Sequence, residues 1–166
     1  HSAGPDMLAG VAELARQQGR LHEVISDLLL VRRHLACAVF ERLCDAPKRR
    51  RAPIRAAVAH FCEVAATGDV AAVAEADMAV LAALGEATDS GVLGLCVNPV
   101  IDMVATLEPL REVIYADPAS NALGYQLLLA WLDAPSRDAI GLVVAELERR
   151  DADSLRRLKK RGRATL

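Results

Sequence analysis

Aromatic residues are nearly missing from this chain: two Phe, two Tyr and one Trp among 166 residues. Sheet cores draw on aromatic and β-branched side chains. Their scarcity beside abundant Ala and Leu disfavours β architectures and favours helix. A dominant charge is missing too. Twenty Lys and Arg face 22 Asp and Glu, a net charge of −2, so no global field draws the chain to nucleic acid or a membrane surface. No apolar run reaches bilayer-spanning length and no signal peptide is recognisable, so no membrane partner is expected.

Cysteine spacing of the CxxC kind is also lacking. Cys37, Cys44, Cys62 and Cys96 read as free thiols in a reducing, cytoplasmic setting. Cys37 and Cys44 can share a helix face, but two thiols do not make a zinc site. The histidines are His1, His22, His34 and His60, with none beyond, so a His-rich metal centre cannot be assembled in the second half of the chain. GxSxG, Walker, HExxH and GxGxxG motifs are all absent. Neither an enzyme nor a bound cofactor or metal is expected.

What is present is helical periodicity over a length suited to one domain. Residues 5–18 form a first helix ended near Gly19, and residues 21–44 a long amphipathic one. Residues 47–53, bounded by Pro47 and Pro53, read as a charged loop. Residues 54–67 form the next helix, closed by Gly68, and Asp69 is the N-cap of a helix to about Ala87. Residues 92–115 read as one central apolar helix kinked at Pro99 and Pro109. Asp117 and Pro118 open a helix through Leu132, and Pro135 and Ser136 open a last one to about Lys160. The class is all-α, about seven helices. The basic run at residues 156–163 reads as a solvated helix end.

Polar residues interrupt the apolar faces at four places. Asp77 lies at the centre of a stripe made by Val70, Val73, Ala74, Val80, Leu81 and Leu84. Burying an ionised carboxylate costs several kcal/mol unless something compensates it. Arg32 interrupts the stripe Leu21, Val24, Ile25, Leu28, Leu35, Val39 and Leu43, while Arg33 and His34 point away. Asp151 interrupts Ile140, Val144, Leu147, Leu155 and Leu158, and Asn98 adjoins Pro99. Two readings stay open. Arg32 pairs with Asp77 or Asp151 as a buried ion pair, or these groups line a pocket in which Arg32 offers its fork of donors to an anion. The lining expected for such a pocket is Arg32, Leu35, Val39, Asp77, Leu81, Leu84, Asn98, Asp151 and Leu155.

Several strings carry a resemblance. Asp27-Leu28-Leu29-Leu30-Val31-Arg32-Arg33-His34-Leu35 comes first, then Glu63-Val64-Ala65-Ala66-Thr67-Gly68-Asp69 and Val73-Ala74-Glu75-Ala76-Asp77. Gly94-Leu95-Cys96-Val97-Asn98, Tyr115-Ala116-Asp117-Pro118-Ala119 and Leu123-Gly124-Tyr125 follow in order. Over residues 4–161 the chain resembles the C-terminal effector domain of FadR-type regulators in the GntR family. The resemblance implies an antiparallel helical bundle that senses a small molecule and forms a homodimer. Operator DNA would be bound only through a winged helix-turn-helix domain absent from these residues. Residues 1–3, opening His1-Ser2, read as a scar; the resemblance then implies 4–20 as a linker helix and 21–161 as the effector-binding and dimerisation domain, with 162–166 a flexible tail.

Many relatives in that family hold a metal with one Asp and three His. Here Asp77 matches the Asp, but Leu81 stands where the first His would be. The resemblance therefore implies the metal-free branch and an acyl-CoA or fatty-acid-like effector. A small carboxylate held by Arg32, or a purely structural dimerisation domain, are the alternatives. The last helix departs from the acyl-CoA-responsive members. It reads Glu148-Arg149-Arg150-Asp151-Ala152-Asp153-Ser154-Leu155, without the Trp and small residues those members contribute.

Overall fold

Gly19 and Gly68 adopt positive φ, +71° and +75°, a region open to a residue without a Cβ, and each closes a helix as expected. A computed structural model describes the backbone of residues 3–164 and the side chains of residues 10–161. His1, Ser2, Thr165 and Leu166 lie outside the described residues, and with them most of the expected scar and the end of the expected tail. Among the described residues there are eight helices and no strand. They are α1 (Ala3–Gln17), α2 (Leu21–Cys44), α3 (Lys48–Ala65), α4 (Val70–Ala87), α5 (Gly91–Thr106), α6 (Glu108–Ile114), α7 (Pro118–Asp133) and α8 (Ile140–Ala164).

The caps follow from residue type. Asp69 accepts from the amides of Ala71 and Ala72, Ser90 from Leu93, and Asp117 from Ser120, satisfying donors that a helix start leaves unpaired. α3 and α4 form a helical hairpin across the short turn at Gly68. α2 is the central element, packing on α1, α4, α5 and α8, while α3 covers α7 and α6 covers α8. The core joins Ile25, Leu29 and Leu43 of α2 to Ile54, Val58 and Phe61 of α3, Val73 and Val80 of α4, and Leu110 and Val113 of α6.

Four boundaries and one buried position differ from the sequence reading. Residues 48–53 are helical, not a loop. Pro47 is extended at the N-cap (φ −65°, ψ 152°), and Pro53 is accommodated inside α3. The basic residues there are tied to neighbouring elements: Arg50 to Asp89 at 2.5 Å, and Arg51 to the carbonyl of Leu132 at 3.1 Å. The single kinked helix over 92–115 is instead two helices meeting at 88°. Pro109 lies at the start of α6, where its missing amide costs nothing, while Pro99 stays inside α5. The last helix starts at Ile140 rather than at Pro135, and it continues to Ala164 rather than stopping near Lys160. Val70, assigned to the apolar stripe, is exposed at the first turn of α4. No single described helix is long and apolar enough to cross a membrane.

Candidate functional site

Asp77 is 6% exposed, and its compensation comes from phenols rather than from a cation. Tyr115, at the C-cap of α6, donates its hydroxyl to Oδ2 at 2.5 Å, and Tyr125 of α7 donates to Oδ1. These are the only tyrosines in the chain. Tyr125 also meets Phe61 of α3 edge-on, with ring centroids 4.7 Å apart. Both phenols are pushed well above the ordinary range, first by burial and then by the charge and hydrogen bond of Asp77.

Arg32 does not meet Asp77. It donates to Asp151 Oδ1, and Arg33 reaches Oδ2 of the same carboxylate at 3.2 Å. The pairing of Arg32 with Asp77 is thereby corrected, and so is the outward direction of Arg33. A helix that packs against α8 along its length buries the flank of its stripe as well as the centre, so adjacent arginines can both reach one carboxylate on the facing helix. Asp151 is 1% exposed. Burial pushes its carboxyl up, against the opposing pull of Arg32 and Arg33. The Nε of Arg32 is buried with no hydrogen-bond partner among the described residues.

Beside these two constellations lies a cavity of about 140 Å³, walled by α2, α4, α5, α6, α7 and α8. Most of its wall is apolar: Leu35, Val39 and Phe40 of α2, Leu81 and Leu84 of α4, Val97, Val100 and Val104 of α5, and Leu128 of α7. Arg32, Asp77, Tyr125, Glu146 and Arg150 supply the polar groups. A second cavity of about 20 Å³ shares Arg32, Ile114 and Arg150 with it and includes Asp151.

Of the nine residues expected to line a pocket, six are on the larger cavity: Arg32, Leu35, Val39, Asp77, Leu81 and Leu84. Three are elsewhere. Asn98 is exposed on α5, which continues as one helix through Pro99. Asp151 lines only the smaller cavity, held there by the two arginines. Leu155, one turn further along α8, packs on the core away from both.

Tyr115, Tyr125, Gly124 and Arg150 were not singled out as site residues. For Arg150 a signal existed: it stands seven residues after Val143, on the flank of the α8 stripe. The tyrosines gave no such signal, since their roles depend on how α6 and α7 cross α4.

Among the described residues no group of three or more His, Cys, Asp or Glu is placed to hold a metal. His22, His34 and His60 are exposed. The four cysteines are free; Cys96 is exposed, and the other three are half-buried. No protein-family profile, characterised protein or solved structure matches the chain.

Proposed function

We propose that this chain is the effector-sensing domain of a GntR/FadR-type transcriptional regulator, and that its effector is a small carboxylate with an apolar body. The observation that carries the ligand class is the cavity: about 140 Å³, apolar for most of its wall, with the guanidiniums of Arg32 and Arg150 among its few polar groups. An apolar protein cavity of about 150 Å³ accommodates benzene, so a body of about six carbons fits this one. Drug-sized sites run from about 300 Å³ upward. A long acyl chain exceeds the space, which favours the small carboxylate over the acyl-CoA effector that the resemblance implies.

The regulatory role rests on the resemblance of the strings between Asp27 and Tyr125. In this reading the domain is a homodimer without metal, and a winged helix-turn-helix domain of the same polypeptide binds operator DNA. Effector binding shifts the population between two arrangements of the dimer. Native mass spectrometry of the purified protein tests the ligand class, and light scattering tests the dimer. One small acid per chain, displaced by added hexanoate, is expected. A retained acyl-CoA restores the long-chain effector, and a monomer that takes up no carboxylate overturns the reading.

A further inference from the structure

We infer that Arg150, not Arg32, is the residue that takes the carboxylate, and that Gly124 is the notch through which Arg150 reaches the cavity. This rests on the small-carboxylate reading of the site and assigns its anchor. The two cavity arginines differ in their commitments. Arg32 is held by Asp151, a nearly inaccessible carboxylate, so giving it to a ligand would strip that charge of its nearest partner.

Arg150 has no carboxylate oxygen within 4 Å among the described residues, and its hydrogen bond goes to a neutral acceptor, the Oδ1 of Asn121. That acceptor is oriented: Asn121 is buried and donates its Nδ2 to the carbonyl of Ile114 at 3.0 Å, which turns Oδ1 toward Arg150. The carboxylates nearby on α8 are already engaged. Glu146, also on the cavity wall, takes Nε and Nη2 of Arg149 at 2.8 and 2.7 Å, and Asp153 takes Arg149 and Arg156. A half-buried guanidinium therefore borders an apolar cavity with most of its donor fork unspent by acids.

Gly124 makes that position possible. A Cβ built there would collide with Nη1 of Arg150 and lie 3.3 Å from its Cζ. The backbone of α7 is helical at this residue, so an alanine is conformationally acceptable. The colliding atom is the far end of a flexible side chain. Gly124→Ala therefore moves the guanidinium while leaving the fold in place. Gly124 and Arg150 act as a pair: one helix is cut back so that the cation of its neighbour can lie across it.

Calorimetric titration with hexanoate and with its uncharged analogue hexanamide tests the assignment. The wild-type protein is expected to prefer hexanoate by about tenfold or more, the scale of a hydrogen bond to a charged group. Arg150→Gln should reduce hexanoate affinity to the level of hexanamide, and Gly124→Ala should weaken hexanoate without lowering the melting temperature. Retention of the full preference in both variants overturns the role of Arg150 while leaving the small-carboxylate reading standing. Failure of the wild-type protein to bind hexanoate overturns that reading and the anchor with it.

Discussion

Arg32 of α2 and Asp151 of α8, 119 residues apart in sequence, form a buried ion pair that ties the central helix to the last one. Arg33 makes the carboxylate shared. Removing the acid leaves two guanidiniums facing a low-dielectric interface. Breaking a buried pair costs about 3–5 kcal/mol, and partial access of water to both arginines places this one near the lower end. Asp151→Asn should lower the urea-unfolding free energy by about 3 kcal/mol. An unchanged unfolding midpoint would contradict the pairing.

The second pair of interest is Asp77 with Tyr115, at 2.5 Å. Both tyrosines ionise less readily in the folded protein than in the unfolded chain, because burial and Asp77 oppose the phenolate. The unfolded state therefore releases protons first as pH rises through the ordinary tyrosine range, near pH 10. Stability from this source is complete below that range and is lost above it. Because the chain has no other tyrosine, tyrosinate absorbance reads these two alone. It should rise only together with the loss of helical circular dichroism. Tyrosinate forming at ordinary pH in a chain still fully helical would exclude the Asp77 arrangement.

Removing one phenol tests the same bond from the other side. Tyr115→Phe takes a donor from a buried carboxylate and should cost about 1.5–3 kcal/mol. Tyr125→Phe should carry a similar cost, since Tyr125 donates to the other oxygen of the same carboxylate. Equal, negligible losses in chemical denaturation would mean that Asp77 is solvated by other means.

Gly85 lines the cavity from the last turn of α4, and a Cβ built there meets nothing within 4 Å. Glycine within a helix is unfavourable relative to alanine by up to about 0.5–1 kcal/mol. Gly85→Ala should raise thermal stability by that amount, whereas Gly85→Leu should fill the space and abolish hexanoate binding in a folded protein. Undiminished binding by the leucine variant would place the ligand elsewhere.

Much of the fold was legible because its signals are local. Gly19, Gly68, Asp69 and Asp117 act within one turn of themselves, and the helices they bound begin or end close to them. The same local rules misassigned residues 47–53 and 92–115. Whether a proline ends a helix depends on its place in the turn, and tertiary partners such as Asp89 and Leu132 decide that at the basic segment.

The site was legible in part. Periodicity located the burial of Arg32, Asp77 and Asp151, since a polar residue inside an apolar stripe needs no knowledge of its partner. Which of them meet was not legible. That depends on helix crossings, and α6 and α7 bring two phenols to Asp77 before any arginine arrives. Asn98 misled because its neighbour Pro99 suggested a kink that α5 does not use to turn inward.

The size of the cavity is the central quantity, and a chain-length series reads it directly. Affinity for n-alkanoates from butanoate to hexadecanoate, measured by calorimetry on the wild-type protein, should peak at about six carbons and fall for longer chains. A steady rise in affinity out to hexadecanoate would contradict the account.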